Sequence, residues 1–178
     1  SMAASRSLIV SPDGVEGVYR KTHLWNEEKR WFEPGDDVPA FETPFGRLGV
    51  QICNDIWFPE LTVTQARDGV DIVALPTNWP AVTERPSEWT TGVHQVVANA
   101  NANRVFVAAA DRAGTERGVT FEGQSVVVDA DGVPLAGPLP DSGSYAATAD
   151  CDLSRAREKA LTERDDALGD RRPDVYET

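Results

Sequence analysis

The sequence predicts an α/β domain built on a mixed β-sheet. Three observations carry that expectation. Apolar runs of strand length alternate with two helix-like stretches between residues 46 and 110. A hairpin signal follows, with Asp131-Gly132 in its turn. The chain has 178 residues, 40% of them hydrophobic and 26% charged, enough for one domain with a real core.

Taken in order, Ser7-Leu-Ile-Val-Ser11 is a short apolar run and Pro12-Asp-Gly14 a turn signal. Val15-Glu-Gly-Val-Tyr-Arg-Lys21 alternates, so the two runs form a hairpin. Residues 22–45 are rich in charge, aromatics and turn formers and read as a long functional loop. Gly46-Arg-Leu-Gly-Val-Gln-Ile-Cys53 is a strand, and Pro59 to Asp68 a helix closed by Gly69. Asp71-Ile-Val-Ala-Leu-Pro76 is a buried strand, followed by a loop through Pro86. Ser87 suits an N-cap for a helix reaching about Asn103. Val105-Phe-Val-Ala-Ala-Ala110 is a strand, 125–135 a hairpin, and Tyr145 to Cys151 a last strand. Asp152-Leu-Ser154 opens a charged helix ending near Gly169, and the tail to Tyr176 is extended. This order implies a mixed sheet with helices on one face. The domain is expected to span 7–178, with 1–6 a linker or tag scar.

The net charge of −12 argues against nucleic acid or an anionic membrane as partner. No apolar run has the length of a membrane span. The start lacks the pattern of a signal peptide, and two cysteines are too few for a disulfide framework, so the expected compartment is the cytoplasm. Two histidines and no Cys-x-x-Cys motif make a structural zinc site unexpected.

Chemistry points to Cys53. It lies between a strand and Asn54-Asp-Ile-Trp-Phe-Pro59-Glu60, where a helix N-terminus would favour a thiolate. A nucleophilic thiol needs activation, a proton acceptor and donors for the oxyanion. Lys21, at a strand end, could supply positive charge. The backbone N–H of Asn54 could be a second donor, and Glu28 a carboxylate in the same cleft. Cys151 lies between Asp150 and Asp152, which discourage a thiolate.

These segments together resemble the nitrilase, or carbon–nitrogen hydrolase, superfamily. The resemblance rests on Tyr19-Arg-Lys-Thr-His-Leu24, Phe32-Glu-Pro-Gly-Asp36, Ile52-Cys-Asn-Asp55 with Phe58-Pro-Glu60, and Gly69 through Trp79. Asn103 through Gly114, Phe121-Glu-Gly-Gln-Ser125, Asp129-Ala-Asp-Gly132 and Asp170-Arg-Arg-Pro173 extend it over nearly all of 7–178. It implies an αββα four-layer sandwich, mixed sheets with helices on the outer faces, assembling into homodimers or higher homo-oligomers. It implies Cys53 as nucleophile, Lys21 as the lysine that stabilises the tetrahedral intermediate, and Glu28 as the second glutamate, with Glu27 its rival. No cofactor or metal is implied, and the substrate would be a small-molecule amide.

The family's first glutamate lies on an early strand before the lysine, and nothing before Ser7 matches it. The chain is therefore expected to be the C-terminal part of such an enzyme, with impaired turnover. An inactive dimerisation or structural module is the alternative. Cys53-Asn54-Asp55 resembles the amidase branches more than true nitrilases. N-Carbamoyl-D-amino-acid hydrolases share Cys-Asn-Asp but then carry arginines, where this chain has Ile56-Trp57. An apolar or neutral acyl group is thus expected, with an N-carbamoyl amide or nitrile as alternatives. Asn78, Trp57 and Trp79 are the expected pocket walls, although both tryptophans would also suit a core.

Overall fold

A computed structural model describes residues 3–81 and 88–176. The chain opens with an antiparallel hairpin, β1 (Arg6–Ser11) and β2 (Gly14–Arg20). After a 3-10 turn at Asn26–Arg30 come β3 (Ala40–Thr43) and β4 (Gly46–Val50). A second 3-10 turn, Cys53–Trp57, leads into α1 (Pro59–Arg67). Then follow β5 (Ile72–Thr77), α2 (Thr91–Asn103) and β6 (Phe106–Asp111). The hairpin β7 (Ala113–Glu116) and β8 (Val119–Glu122) precedes β9 (Val126–Val128) and β10 (Pro134–Ala136). Two short helices close the chain, α3 (Ser154–Arg157) and α4 (Pro173–Tyr176).

The main sheet has six strands in the order β10-β9-β6-β5-β4-β3. Its centre, β4-β5-β6, is parallel, with Leu48 opposite Ile72 and Val73 opposite Val107. The flanking strands are antiparallel, so the sheet is mixed as expected. Val73, Leu75, Val107, Val126 and Val128 bury one face against Ile56, Ala66, Val93 and Val96 of the helical layer. These β-branched and aliphatic side chains suit a pleated surface covered by helices. Gly92 permits the close approach of α2 to Trp79. A Cβ there would stand 2.3 Å from the indole ring.

The opposite face packs Phe106 and Ile72 against Ala130, Cys151, Leu153 and Ala156. Residues 145–151, expected as a strand, make no sheet pairing among the described residues. Their alternation survives as Ala147, Ala149 and Cys151 half-buried, with Cys151 packed against the cluster of Phe106, Ala130 and Ala156. The expected long C-terminal helix shrinks to α3. Beyond it, Lys159 Nζ donates to the carbonyls of Asn103 at 3.0 Å and Arg104 at 2.8 Å. That anchor satisfies the C-terminal end of α2 and outweighs the segment's own helix propensity. The tail carries α4 rather than an extended run.

One further correction concerns a loop, and one hairpin was not anticipated. Residues 22–45 contain a 3-10 turn and β3, and 113–122 form the β7–β8 hairpin. The proposed cap Ser87 lies outside the described residues. Thr90 caps α2, accepting from the Val93 N–H at 3.4 Å. The fold also begins before Ser7: Ser5 accepts from the Lys21 N–H and Ala3 from the Glu33 N–H, both at 2.9 Å. Among the described residues, no helix is long and apolar enough to cross a membrane.

Arg157 ties the C-terminal segment to the sheet by two bonds of 2.9 Å to buried Asp71. Burial pushes Asp71 upward, but the bonds from Arg157 and the Arg47 N–H prevail and hold the carboxyl below its ordinary range. The folded pKa is depressed, so this stabilisation is present above about pH 4 and lost as pH falls through the folded pKa. Arg157→Ala is expected to lower the thermal midpoint at pH 7, with the gap to the parent closing below about pH 4. A gap that does not narrow at all as the solution is acidified below about pH 4 would refute the pair as its source.

Candidate active site

The three parallel strands deliver their carboxyl ends to one edge of the sheet. In open α/β sheets that edge is where ligands bind. Cys53 follows β4, Asn78 follows β5, and Asp111 ends β6. Gln51, fully buried, fixes the end of β4 to α1, donating to Thr62 Oγ1 and Gln65 Oε1 at 2.9 Å each.

Cys53 has φ of 51°, in the left-handed region. A non-glycine residue held there costs about 1–2 kcal/mol, and such strain gathers at functional turns. The turn lets the half-buried thiol face two adjoining cavities. The expected neighbouring helix needs correction. α1 starts at Pro59, and the 3-10 turn Cys53–Trp57 stands between. The dipole of α1 fades within its own first turn, so the N–H groups that open the 3-10 turn are the local donors.

Lys21 leaves the end of β2 with its side chain only 1% exposed. A buried ammonium must be paired. Its Nζ donates to Glu28 Oε2 at 2.6 Å, and the same oxygen accepts from the Trp25 N–H at 2.7 Å. Glu27, the rival, also borders the cavity but is largely exposed and pairs with Arg30 at 3.0 Å instead of with Lys21. Lys21, Glu28, Cys53 and Asn78 all line one cavity of about 700 Å³. A second, of about 240 Å³, is lined by Trp25, Cys53, Asn54, Trp57, Trp79, Pro80 and Glu122. Trp57 meets Trp79 edge to face, 5.5 Å between centroids. Trp79 also belongs to the core, so it serves both as packing and as wall. Ile56 is fully buried in the core and lines neither cavity. Among the described residues, no group of three or more His, Cys, Asp or Glu side chains could hold a metal ion.

One residue that sequence reasoning did not single out joins the two halves of this arrangement. Asp55, fully buried, accepts from the Ile52 N–H and the Tyr19 hydroxyl at 2.8 Å each through Oδ2. Its Oδ1 accepts from the His23 N–H at 2.8 Å and the Thr22 hydroxyl at 3.0 Å. Burial and then the Asp55 charge push the Tyr19 hydroxyl above its ordinary value, so it stays a donor. Asn54 Nδ2 adds a bond of 3.3 Å to the His23 carbonyl. The segment carrying Lys21 is thereby fastened to the elbow carrying Cys53. An acid two residues after a strand-end cysteine was the available signal.

A model of the carbon–nitrogen hydrolase family matches residues 4–160. The chain belongs to that family. It is 34% identical to a nitrilase of Pyrococcus abyssi over 171 residues, covering 96% of this chain and 62% of the relative. The crystal structure of a carbon–nitrogen hydrolase from Helicobacter pylori superposes with a TM-score of 0.83 at 29% identity, over 98% of this chain and 64% of that one. A mutant amidase from Nesterenkonia sp. superposes with a TM-score of 0.73 at 28% identity, over 92% of this chain and 58% of that one. It carries acrylamide added at its active-site cysteine. The α/β fold read from the sequence is thus that of solved carbon–nitrogen hydrolases, and the chain spans about three fifths of the length of these relatives.

Removing the Asp55 carboxylate strands several buried donors. Asp55→Ala is expected to cost about 2–4 kcal/mol in urea unfolding and to slow alkylation of Cys53. A variant within about 0.5 kcal/mol of the parent would show that the network carries no such weight.

Proposed function

We propose that this chain carries a thiol-based site for hydrolysing a small amide. Cys53 is the nucleophile, Lys21 the charge that stabilises thiolate and oxyanion, and Glu28 the carboxylate that orients Lys21 and takes part in proton transfer. The observation that carries this reading is a buried Lys21 paired with Glu28, both lining one cavity with Cys53. Attack by the Cys53 thiolate on the amide carbon forms a C–S bond and an oxyanion. Collapse expels ammonia or an amine, which gains a proton, and water then cleaves the thioester. To the N–H of Asn54, in the first turn after the elbow, this reading gives the part of a second oxyanion donor.

The acyl group is neutral. Among the described residues lining the two cavities, the only cationic side chain is Lys21, already bonded to Glu28. A substrate carboxylate would meet no guanidinium among the described lining residues and would face Glu122. Trp25, Trp57, Trp79 and Pro80 offer apolar walls instead. Asn78, just after β5, is one of the polar side chains that the cavity offers the amide.

A homo-oligomer is the assembly we favour, because β1 and β2 expose Leu8, Val10, Val15 and Val18. Sedimentation analysis is expected to find a dimer or larger species, and a stable monomer would exclude it.

Thiol reactivity reads the Cys53, Lys21 and Glu28 unit directly. Burial and the charges of Asp150 and Asp129 push the Cys151 thiol upward. Iodoacetamide at pH 7.5 is therefore expected to label Cys53 at least about tenfold faster than Cys151, as mapped by mass spectrometry. Lys21→Met should remove most of that advantage. Equal, slow labelling of both cysteines in the parent would sink the proposal.

A further inference from the structure

We propose that Asp111 is a positioning residue that holds together the wall of the acyl cavity facing Cys53. The inference rests on the reading of Cys53 as an amide-attacking thiol. Asp111 itself lines neither cavity at Cys53. It acts through the loop after β5 and through the end of β8, which do.

One loop leaves β5 as Asn78, Trp79 and Pro80. The other leaves β8 after Phe121 and Glu122. Asp111 sits between them at the end of β6. Its Oδ1 accepts from the Trp79 N–H at 3.0 Å and from the Arg112 N–H at 2.9 Å. Its Oδ2 accepts from the Gly123 N–H at 2.9 Å. The same residue is held from its backbone, its N–H donating to Ser125 Oγ at 2.8 Å. The loops also meet directly: the Glu122 N–H donates to the Trp79 carbonyl at 2.9 Å and the Ala81 N–H to that of Thr120 at 2.8 Å. One carboxylate thus closes a corner from which Trp79, Pro80, Phe121 and Glu122 project as cavity lining.

A carboxylate is an expensive choice for that corner. Burial pushes Asp111 up to about 6, even though the N–H bonds from Trp79, Gly123 and Arg112 pull it down, and the Glu122 charge adds to the rise. The folded pKa lies above the unfolded one, so the fold gives up stability as pH rises from about 4 to 6. A neutral residue would spare the fold that cost. What only a carboxylate supplies is two acceptor oxygens aimed at two different loops. Stability set aside at one point for geometry at another is the mark of a residue kept for the site rather than for the core.

Saturation kinetics of Cys53 alkylation by acrylamide, a small neutral electrophilic amide, separate binding from thiol reactivity without requiring turnover. Asp111→Ala is expected to raise the half-saturating acrylamide concentration about tenfold, with the limiting rate changed less than about threefold. Asp111→Asn keeps one acceptor oxygen and should fall between, with a thermal midpoint at pH 7.5 equal to or above the parent's. Methyl methanethiosulfonate, which needs no cavity, should react with Cys53 at the same rate in all three. An unchanged half-saturation in both variants overturns the proposal, as does an equal loss of reactivity toward both reagents. Should Asp111→Ala not fold, Asp111→Asn carries the same comparison. A parent in which acrylamide modifies Cys53 no faster than Cys151 overturns the reading of the site itself, and this inference with it. Selective labelling in the parent with unaltered variants overturns the Asp111 inference alone.

Discussion

The Asp55 carboxylate is the interaction on which the rest of the site depends. Lys21 ends a peripheral hairpin, while Cys53 follows a central strand of the main sheet. Among the described residues no ladder joins these two sheets. Asp55 bridges them, accepting from Ile52 on one side and from Tyr19, Thr22 and His23 on the other. In a buried setting each of those donors would be costly to leave unmade, so the network specifies a single relative placement of Lys21 and Cys53. Stacking of His23 on Phe58 at 3.9 Å braces the same junction.

Around that bridge the site is assembled from structure that is rigid for other reasons. Gln51, Gln65 and Thr62 bond inside the protein and fix the end of β4. The parallel pairing of β4, β5 and β6 brings Cys53, Asn78 and Asp111 to one edge. The strained φ at Cys53 is affordable only because both flanks are held this firmly. Two carboxylates, one buried and one half-buried, therefore divide the work. Asp55 fastens the segment of Lys21 to the elbow of Cys53, and Asp111 bonds the Trp79 and Gly123 N–H groups at the neighbouring wall.

Sequence reading recovered the central strands because their apolar runs have strand length and lie between helix signals. It singled out Cys53, Lys21 and Glu28 as a set because thiol chemistry needs such partners and a family motif carried the same residues, and in the structure all three line one cavity. It could not choose between Glu28 and Glu27 on geometry, since adjacent residues differ only in where a 3-10 turn points them. It extended the C-terminal helix too far because composition there favours helix. What intervenes is long-range: Lys159 bonds the end of α2 and Arg157 bonds Asp71. The strand expected at 145–151 failed for a related reason, since alternation reports a half-buried surface and not a hydrogen-bonded neighbour.

By itself, then, the sequence determined the α/β class, the order of the central elements, the family resemblance and the residue types that could perform thiol chemistry. These follow from local patterns and short motifs. Only the tertiary structure decided that Lys21 pairs with Glu28, that a 3-10 turn separates Cys53 from α1, and that Asp55 and Asp111 are the fasteners. Those outcomes depend on contacts between residues about thirty or more positions apart in several cases, such as Tyr19 with Asp55 and Trp79 with Asp111, and no local pattern encodes which distant donor a buried carboxylate will meet.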